Sequence, residues 1–365
     1  MSFVLGERLR AAFAPPRYLA LPLSGVDLST DGVKVARLVE GAQGLILAGH
    51  AEVSLPEGAY ADGEIVDRAA VVAALVAAAH TAGISATNAA LPESKEYLFE
   101  TTVRGENAAE RRIAVEQHLD ELVPLPPPET AFDIIALEQG GRGETRVAGI
   151  GFARRIVDET LSLFDQAGIG VQSLEGETFS MARALLPQGD TSTTLIIDLG
   201  RTAMKLSIVA GRIPRFATTV GIGGHALTLA VQKYFGVTGV EARKVKVERG
   251  IVPEAGNEEY IAAMLSTVSA IRDEISRWLD YWRGKVRENA AHESVARVIL
   301  VGDNAAVRGL PEYFERSFGI PVVTGDVFTN LASRDTRTPP LEYVESLAYA
   351  TAIGLALRDR TQLYV

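Results

Sequence analysis

Residues 196–209 read IIDLGRTAMKLSIV. The opening residues have the composition of a strand that delivers Asp198 to a glycine turn, and a second apolar run follows at once. Two such runs joined by a short Gly-containing link predict a β-hairpin. Near the start of the chain DLSTDGVK (27–34) lies over DLGRTAMK (198–205), each an Asp-Leu pair with a lysine seven residues after the aspartate. Matched motifs at matched places in two halves predict an internal duplication.

Composition narrows the function classes. The 365 residues suffice for two or more domains, and 47% hydrophobic with 22% charged content is that of a globular chain. A net charge of −10 argues against nonspecific nucleic-acid binding, so no nucleic-acid partner is expected. The absence of cysteine excludes disulfides, thiolate metal sites and cysteine nucleophiles, and the five histidines form no H-x-x-x-H pair. No apolar run reaches a membrane span, and the charged N-terminus is a poor secretory signal, which predicts a cytoplasmic protein. Residues 2–13 read as a short amphipathic helix, docked on the body, frayed, or touching a membrane.

Walking along the chain, segments 18–28, 32–41 and 45–55 read as three antiparallel strands, followed by a helix at 68–82 between Asp67 and Gly83. A helix at 108–122 opens with an Asn107/Glu110 capping box and stops at Pro124. Strands at 131–138 and 145–152, a helix at 154–167, a strand at 171–175 and a helix at 178–186 close the first half. The second half repeats the opening, with a strand at 194–199 and a hairpin of 204–210 with 214–220. Helices are expected at about 224–235, 239–248 with a Thr238/Glu241 box, and 257–286. A strand at 295–301, a helix at 310–318, a strand at 321–324 and a helix at 342–357 complete the reading.

Two hairpins facing one another across a cleft clamp polyphosphate well, because turn N–H groups form anion-binding concavities. Asp27 and Asp198, at equivalent strand ends, are placed to hold Mg²⁺ through water, since Mg²⁺ keeps most of its hydration shell. Ser29, Thr30 and Gly200 would supply close contacts, and Lys34 and Lys205 would add point charges to phosphate oxygens. The alternative is that Asp and Gly only make good turns and the lysines face solvent. Gly223 and Gly224 stand at a predicted helix N-terminus, which attracts anions. ILVGDNAAVRGL (299–310) runs a strand into a glycine turn on which a nucleoside could rest. Glu241 and Lys244 either reach a ribose or form a solvated helical pair.

The order of Asp-hairpin, helical insert, Asp-hairpin, Gly-Gly-helix and strand-Gly-turn is that of the actin-like and sugar-kinase ATPases. More specifically, the chain resembles the type IV pilus assembly PilM family, relatives of the cell-division protein FtsA. The resemblance is carried by GVDLSTDGVKVARL (25–38), LPEGAYADGEIVD (55–67), PLPPPETAFD (124–133), EGETFSMARALL (175–186), IGGHALTLAVQKYFGVTGVEARKVK (222–246), EISRWLDYWR (274–283) and YATAIGLALR (349–358). It implies an α/β, duplicated, actin-like (ribonuclease H-like) two-lobe fold with ATP or ADP and Mg²⁺ between the lobes. The implied division is an N-terminal extension at 1–17, first-lobe segments at 18–93 and 169–192, and an inserted FtsA-like subdomain at 94–168. The second lobe takes 193–340, with a helical subdomain at about 224–292, and 341–365 returns to the first lobe.

The resemblance also implies a cytoplasmic scaffold, peripheral at the inner membrane, that grips the N-terminal cytoplasmic tail of a PilN-like membrane protein and links it to motor components. It aligns Glu177 with a cleft-lining acidic residue, either a weak general base or a helix-start residue favoured by the dipole. The family's second phosphate segment carries small residues and threonines, whereas Arg201, Ala203, Met204 and Lys205 stand here and leave Thr202. Its third usually reads Gly-Gly-Gly before Ser, and here is Gly302-Asp303-Asn304-Ala305. With the in-line hydroxyls depleted, slow or absent hydrolysis is expected, with binding retained through Arg201 or Lys205. A sugar-kinase-like phosphotransferase and an FtsA-like membrane-tethered polymer are the alternatives. The first lacks a sugar-binding signature; the second requires a terminal amphipathic helix, which LRDRTQLYV at the C-terminus is not and for which residues 2–13 are a marginal candidate.

Overall fold

The computed structural model describes residues 23–139, 143–254, 256–289, 292–332 and 338–358. The expected helix at 2–13 and the extension at 1–17 lie outside them. The chain opens with β1 (Ser24–Ser29), β2 (Gly32–Gly41) and β3 (Gly44–Ser54), an antiparallel meander. A ribbon of β4 (Tyr60–Ala61) and β5 (Glu64–Ile65) turns at Asp62-Gly63, both at positive φ, the sequence that tight hairpin turns favour. Helix α1 (Arg68–Ala82) is capped by Asp67, which accepts from the Ala70 amide, and Gly83 ends it in the left-handed region.

The remainder of the first half is β6 (Ala86–Leu91), β7 (Tyr97–Arg104), α2 (Ala108–Glu116), α3 (Leu119–Leu122), β8 (Thr130–Gln139), β9 (Glu144–Ala153), α4 (Arg154–Gln166), β10 (Gly170–Gly176) and α5 (Glu177–Leu185). The expected helix over 108–122 is thus two pieces, and Pro124 holds Val123 extended after the second. Asn107 accepts from the Glu110 amide, but Glu110 reaches back to the Glu106 amide rather than to that of Asn107. The second half contains β11 (Thr193–Leu199), β12 (Met204–Ala210), β13 (Ile213–Val220), α6 (Gly224–Phe235), α7 (Gly239–Arg249), α8 (Glu258–Glu288), β14 (Arg297–Val301), α9 (Leu310–Phe318), β15 (Val322–Thr324), α10 (Tyr343–Ser346) and α11 (Ala350–Ala356). The single helix expected at 342–357 is broken at Leu347–Tyr349, where the Leu347 carbonyl leaves the helix to accept from the Gly302 amide.

The two halves are built to one plan. One five-stranded sheet has the order β10-β6-β1-β2-β3 and the other β15-β14-β11-β12-β13, each an antiparallel meander extended by two parallel strands. Even the register repeats, since Asp27 lies opposite Lys34 and Asp198 opposite Lys205. Between β6 and β10 the chain leaves the first sheet to make a three-stranded antiparallel sheet, β7-β9-β8, with α2 and α3 on one face around Phe99, Val115, Leu119 and Val147. The second half instead carries α6, α7 and α8, whose apolar stripe (Met264, Val268, Ile271, Ile275, Leu279) is buried against the second sheet.

A shared core joins the halves. Helices α5 and α11 pack between the sheets with Ala36, Leu38, Ile196, Val209 and Val301. Helix α11 approaches its neighbours so closely that a Cβ on Gly354 would lie 1.8 Å from the Ser180 carbonyl oxygen of α5, and one on Gly25 of β1 2.1 Å from the Ala352 carbonyl oxygen.

Candidate functional site

Both Asp-bearing hairpins open onto one cleft of about 850 Å³ between the halves. Asp27, Ser29, Thr30 and Lys34 line it from β1 and β2, and Asp198, Gly200, Arg201, Thr202 and Lys205 from β11, β12 and the turn between them. Glu177, Gly302 and Asp303 complete the predicted set found there. Gly302 must be glycine: its φ is 91°, and a Cβ would lie 2.2 Å from Asp198 Oδ1.

Charge in the cleft is dense and mostly buried. Asp27 is 7% exposed, and its buried Oδ1 has no hydrogen-bond partner among the described residues. Burial, reinforced by Glu177, pushes its carboxyl up to about 6. Asp198 is raised too, by burial. Lys205 donates to Glu177, and although burial opposes its charge, Glu177, Asp198 and Asp27 hold it well above the usual lysine range. Lys34 lies 3.4 Å from Glu52; burial is again outweighed, here by Asp303 and Glu52, and its pKa rises.

The hairpin turns touch. Thr30 Oγ1 and Thr202 Oγ1 are 3.1 Å apart, and Asp31 accepts from Arg201 Nε at 2.6 Å. Further ties cross the cleft nearby. Thr219 of β13 donates to Glu93, which follows β6, and Arg215 of β13 donates to Glu100 of β7, itself paired with Arg146 at 2.9 Å.

Five predicted residues sit differently from expectation. Glu241 and Lys244 line neither this cleft nor its neighbour: Glu241 is committed to the α7 capping box and Lys244 pairs with Glu248 on the exposed face. One helical register away, Arg243, Lys246 and Val247 face a second cavity of about 420 Å³ that shares Asp31, Arg201 and Asp303 with the cleft. Gly224 and Asn304 line that second cavity and Gly223 lines neither. The Gly224 and His225 amides are not free for an anion, because they donate to the Gly200 and Arg201 carbonyls. Gly223 permits this seating, since its Cβ would lie 2.4 Å from the Arg201 oxygen. Asn304 donates to the Leu199 and Gly200 carbonyls and accepts from Lys246, a buried ammonium that desolvation lowers to about 8. Both residues shape the second turn from behind.

Sequence reading missed Asp31, Glu93, Glu96 and Thr219, all cleft residues. It also missed the wall built by Glu57, Tyr60 and Asp62, although these belong to the LPEGAYADGEIVD segment. The available signal there was the Asp-Gly turn, which fixes that segment against Ser94 and Lys95. Burial, partly offset by the Thr219 hydrogen bond, leaves Glu93 raised to about 7; Glu96 is held well above the usual glutamate range by burial and then by Glu93.

A separate groove of about 390 Å³ runs between the three-stranded sheet and the body. Five consecutive residues of edge strand β8, Ala131–Ile135, form one side, and Leu91, Leu174, Gly176 and Phe179 the other. Arg358 and Glu175 are its charged groups on the body side. Among the described residues no helix is long and apolar enough to cross a membrane, and no group of three or more His, Cys, Asp or Glu is arranged to hold a metal ion directly.

Residues 25–360 match the family described as Type IV pilus assembly protein PilM. Among solved structures the chain is similar to one titled as a PilM-PilN type IV pilus biogenesis complex, with 20% identity, TM-score 0.75, and 94% of this chain and 99% of that chain covered. It is also similar to MreB5 of Spiroplasma citri bound to AMPPNP (15% identity, TM-score 0.55, 95% and 97% covered) and bound to ADP (14%, 0.54, 93% and 96%). The fold is therefore the actin-like one.

Proposed function

Because the chain belongs to the type IV pilus assembly protein PilM family, we propose that it is an actin-like scaffold of a pilus or related filament machine. In this reading it holds a nucleotide in the interlobe cleft and the cytoplasmic tail of a PilN-like inner-membrane partner in the β8 groove. The observation that carries the nucleotide is the convergence of two register-matched Asp–Lys pairs on one cleft. The MreB5 structures bound to ADP and AMPPNP support it.

The cleft chemistry fits a hydrated Mg²⁺. Asp27 Oδ1 is a buried acceptor lacking a donor among the described residues, and Asp198 faces the same space. Water ligands on the ion would donate to such carboxylates, and the ion would neutralise phosphate charge in an acid-rich cleft. Lys34 and Lys205 add fixed positive charge. Hydrolysis is slow or absent in this reading, because in-line attack needs a positioned water and a base. Glu177 is already committed to Lys205, and the Thr202 hydroxyl to Thr30.

The groove suits an extended tail. Adding a strand to a sheet edge is a common mode of peptide recognition, and here a tail would displace the Arg112 side chain from the Phe132 carbonyl and Asp133 Oδ1 from the Ile134 amide. The division into a first lobe with an inserted FtsA-like subdomain at 94–168 and a second lobe at 193–340 belongs to this proposal. So do attachment to the inner membrane through the partner and contact with motor components.

Calorimetry with ATP–Mg²⁺ on the full chain, repeated on Asp198→Ala, tests the cleft. Saturable heat from the wild type that weakens at least tenfold in the variant is expected. No heat from a folded wild type would remove the nucleotide. Capture by an immobilised PilN-like tail tests the partner, and Ile134→Pro, which removes an amide donor from the β8 edge, is expected to weaken it at least about tenfold.

A further inference from the structure

The second turn is where a phosphate would find its donors, and it is already occupied. Asp31 Oδ1 accepts from the Arg201 guanidinium at 2.6 Å, and Asp31 Oδ2 from the Arg201 backbone amide at 3.3 Å. A carboxylate gripped by one backbone N–H and a guanidinium is in the position of a phosphate oxygen. The neighbouring helix N-terminus offers no alternative, since the Gly224 and His225 amides are taken by the Gly200 and Arg201 carbonyls. Asp31 comes from the other half of the molecule, from the β1–β2 turn, so the contact also ties the two hairpins together. The Thr30–Thr202 contact at 3.1 Å lies beside it.

We propose that Asp31 is a built-in anion that competes with nucleotide phosphate for Arg201 and keeps the cleft latched in its absence. This rests on the reading of the cleft as a nucleotide site. A phosphate entering the second turn must displace the carboxylate, and the displaced carboxylate then stands beside it as a like charge. With Asp27, Asp198 and Asp303 in the same cleft, each added negative charge raises the cost of phosphate binding. Arg201 is thus a phosphate ligand held in reserve by an internal partner. Closure of the cleft becomes possible without nucleotide.

Two measurements on the full chain test this. Titration of ATP–Mg²⁺ into wild type, Asp31→Asn and Asp31→Ala is expected to show tighter binding in both variants, by about tenfold. Because the predicted change is a gain, a partly unfolded variant cannot imitate it. Equal or weaker binding in both variants would overturn the competition. Amide exchange without nucleotide reads the latch itself. In Asp31→Ala the Arg201 amide is expected to exchange at least about tenfold faster, while the Gly224 and His225 amides, held by other acceptors, do not change. Unchanged exchange at Arg201 would overturn the latch whatever the nucleotide result. If no protein binds ATP but Arg201 is deprotected, the nucleotide reading of the cleft fails and the competition with it, and only the contact survives.

Discussion

At the scale of single residues the cleft is governed by carboxylates that burial makes reluctant to ionise. Glu93 is 4% exposed and raised from 4.5 to about 7. Between those values the folded state holds a proton that the unfolded chain releases, so this contribution to stability is complete below about pH 4.5 and is lost as pH rises through about 7. Asp27, raised to about 6, acts with the same sign. Urea denaturation from pH 5 to 8 is therefore expected to show falling stability, with Glu93 responsible for on the order of 1–3 kcal/mol. Glu93→Gln keeps an acceptor for Thr219 and carries no charge, so its profile should be flatter; identical slopes would take Glu93 out of the titration. None of this was legible in ESKE, because a glutamate in a polar stretch reads as solvated. Asp27 and Asp198 were legible because their position is local, fixed by a hairpin register visible in the sequence. Glu93 owes its burial to the way β6 is inserted between β1 and β10.

Elements were readable where their signal was local and hidden where it came from packing. The meanders, the Asp67 and Thr238 caps and the long α8 follow from periodicity and capping residues. Strand β6, ATNAAL, escaped because a parallel strand buried on both faces shows no alternation and this one is made of small residues with weak strand preference. Strand β7, YLFETTVR, had an alternating pattern at Phe99, Thr101 and Val103 that was available to be read. Helix α7 was found, yet its register toward the neighbouring cavity was set by Lys246 reaching Asn304, a contact 58 positions distant. Packing at this scale gives a paired prediction. Gly354→Ala places a methyl 1.8 Å from the Ser180 oxygen in the shared core and should cost about 1–3 kcal/mol or more. Gly284→Ala in α8, where nothing lies within 4 Å, should stabilise by about 0.5–1 kcal/mol. Denaturation midpoints moving in opposite directions are expected, and a neutral Gly354→Ala would contradict the close approach of α5 and α11.

Across the whole molecule, duplication explains why two sites could arise side by side. Strand pairs β1–β2 and β11–β12 bring equivalent aspartates to the cleft, while the sheet β7-β9-β8, which has no counterpart among the described residues of the second half, creates the groove next to it. The wall between them is thin. Leu91 and Gly176, paired at the parallel ends of β6 and β10, line the groove, and the residues that follow them, Pro92, Glu93 and Glu177, line the cleft. A Cβ on Gly176 would lie 2.6 Å both from Glu96 Oε2 on the cleft side and from Ile150 Cδ1 on the groove side. Glu177 is held by Lys205 and Glu93 by Thr219, both from the second half, so a phosphate that engages Lys205 acts on the backbone that forms the groove floor. Two ligands that order the same backbone help one another, because the second finds part of the ordering already done. Titrating a synthetic PilN-like tail peptide with and without saturating ATP–Mg²⁺ should give about five- to tenfold tighter binding with nucleotide, and ATP should gain the same factor from the peptide by linkage. Lys205→Met, which releases Glu177, should reduce that factor toward unity at ATP–Mg²⁺ concentrations raised until the variant is saturated, while the peptide still binds. Equal peptide affinities with and without nucleotide, each ligand binding alone, would mean that the shared wall is rigid and the two sites are independent.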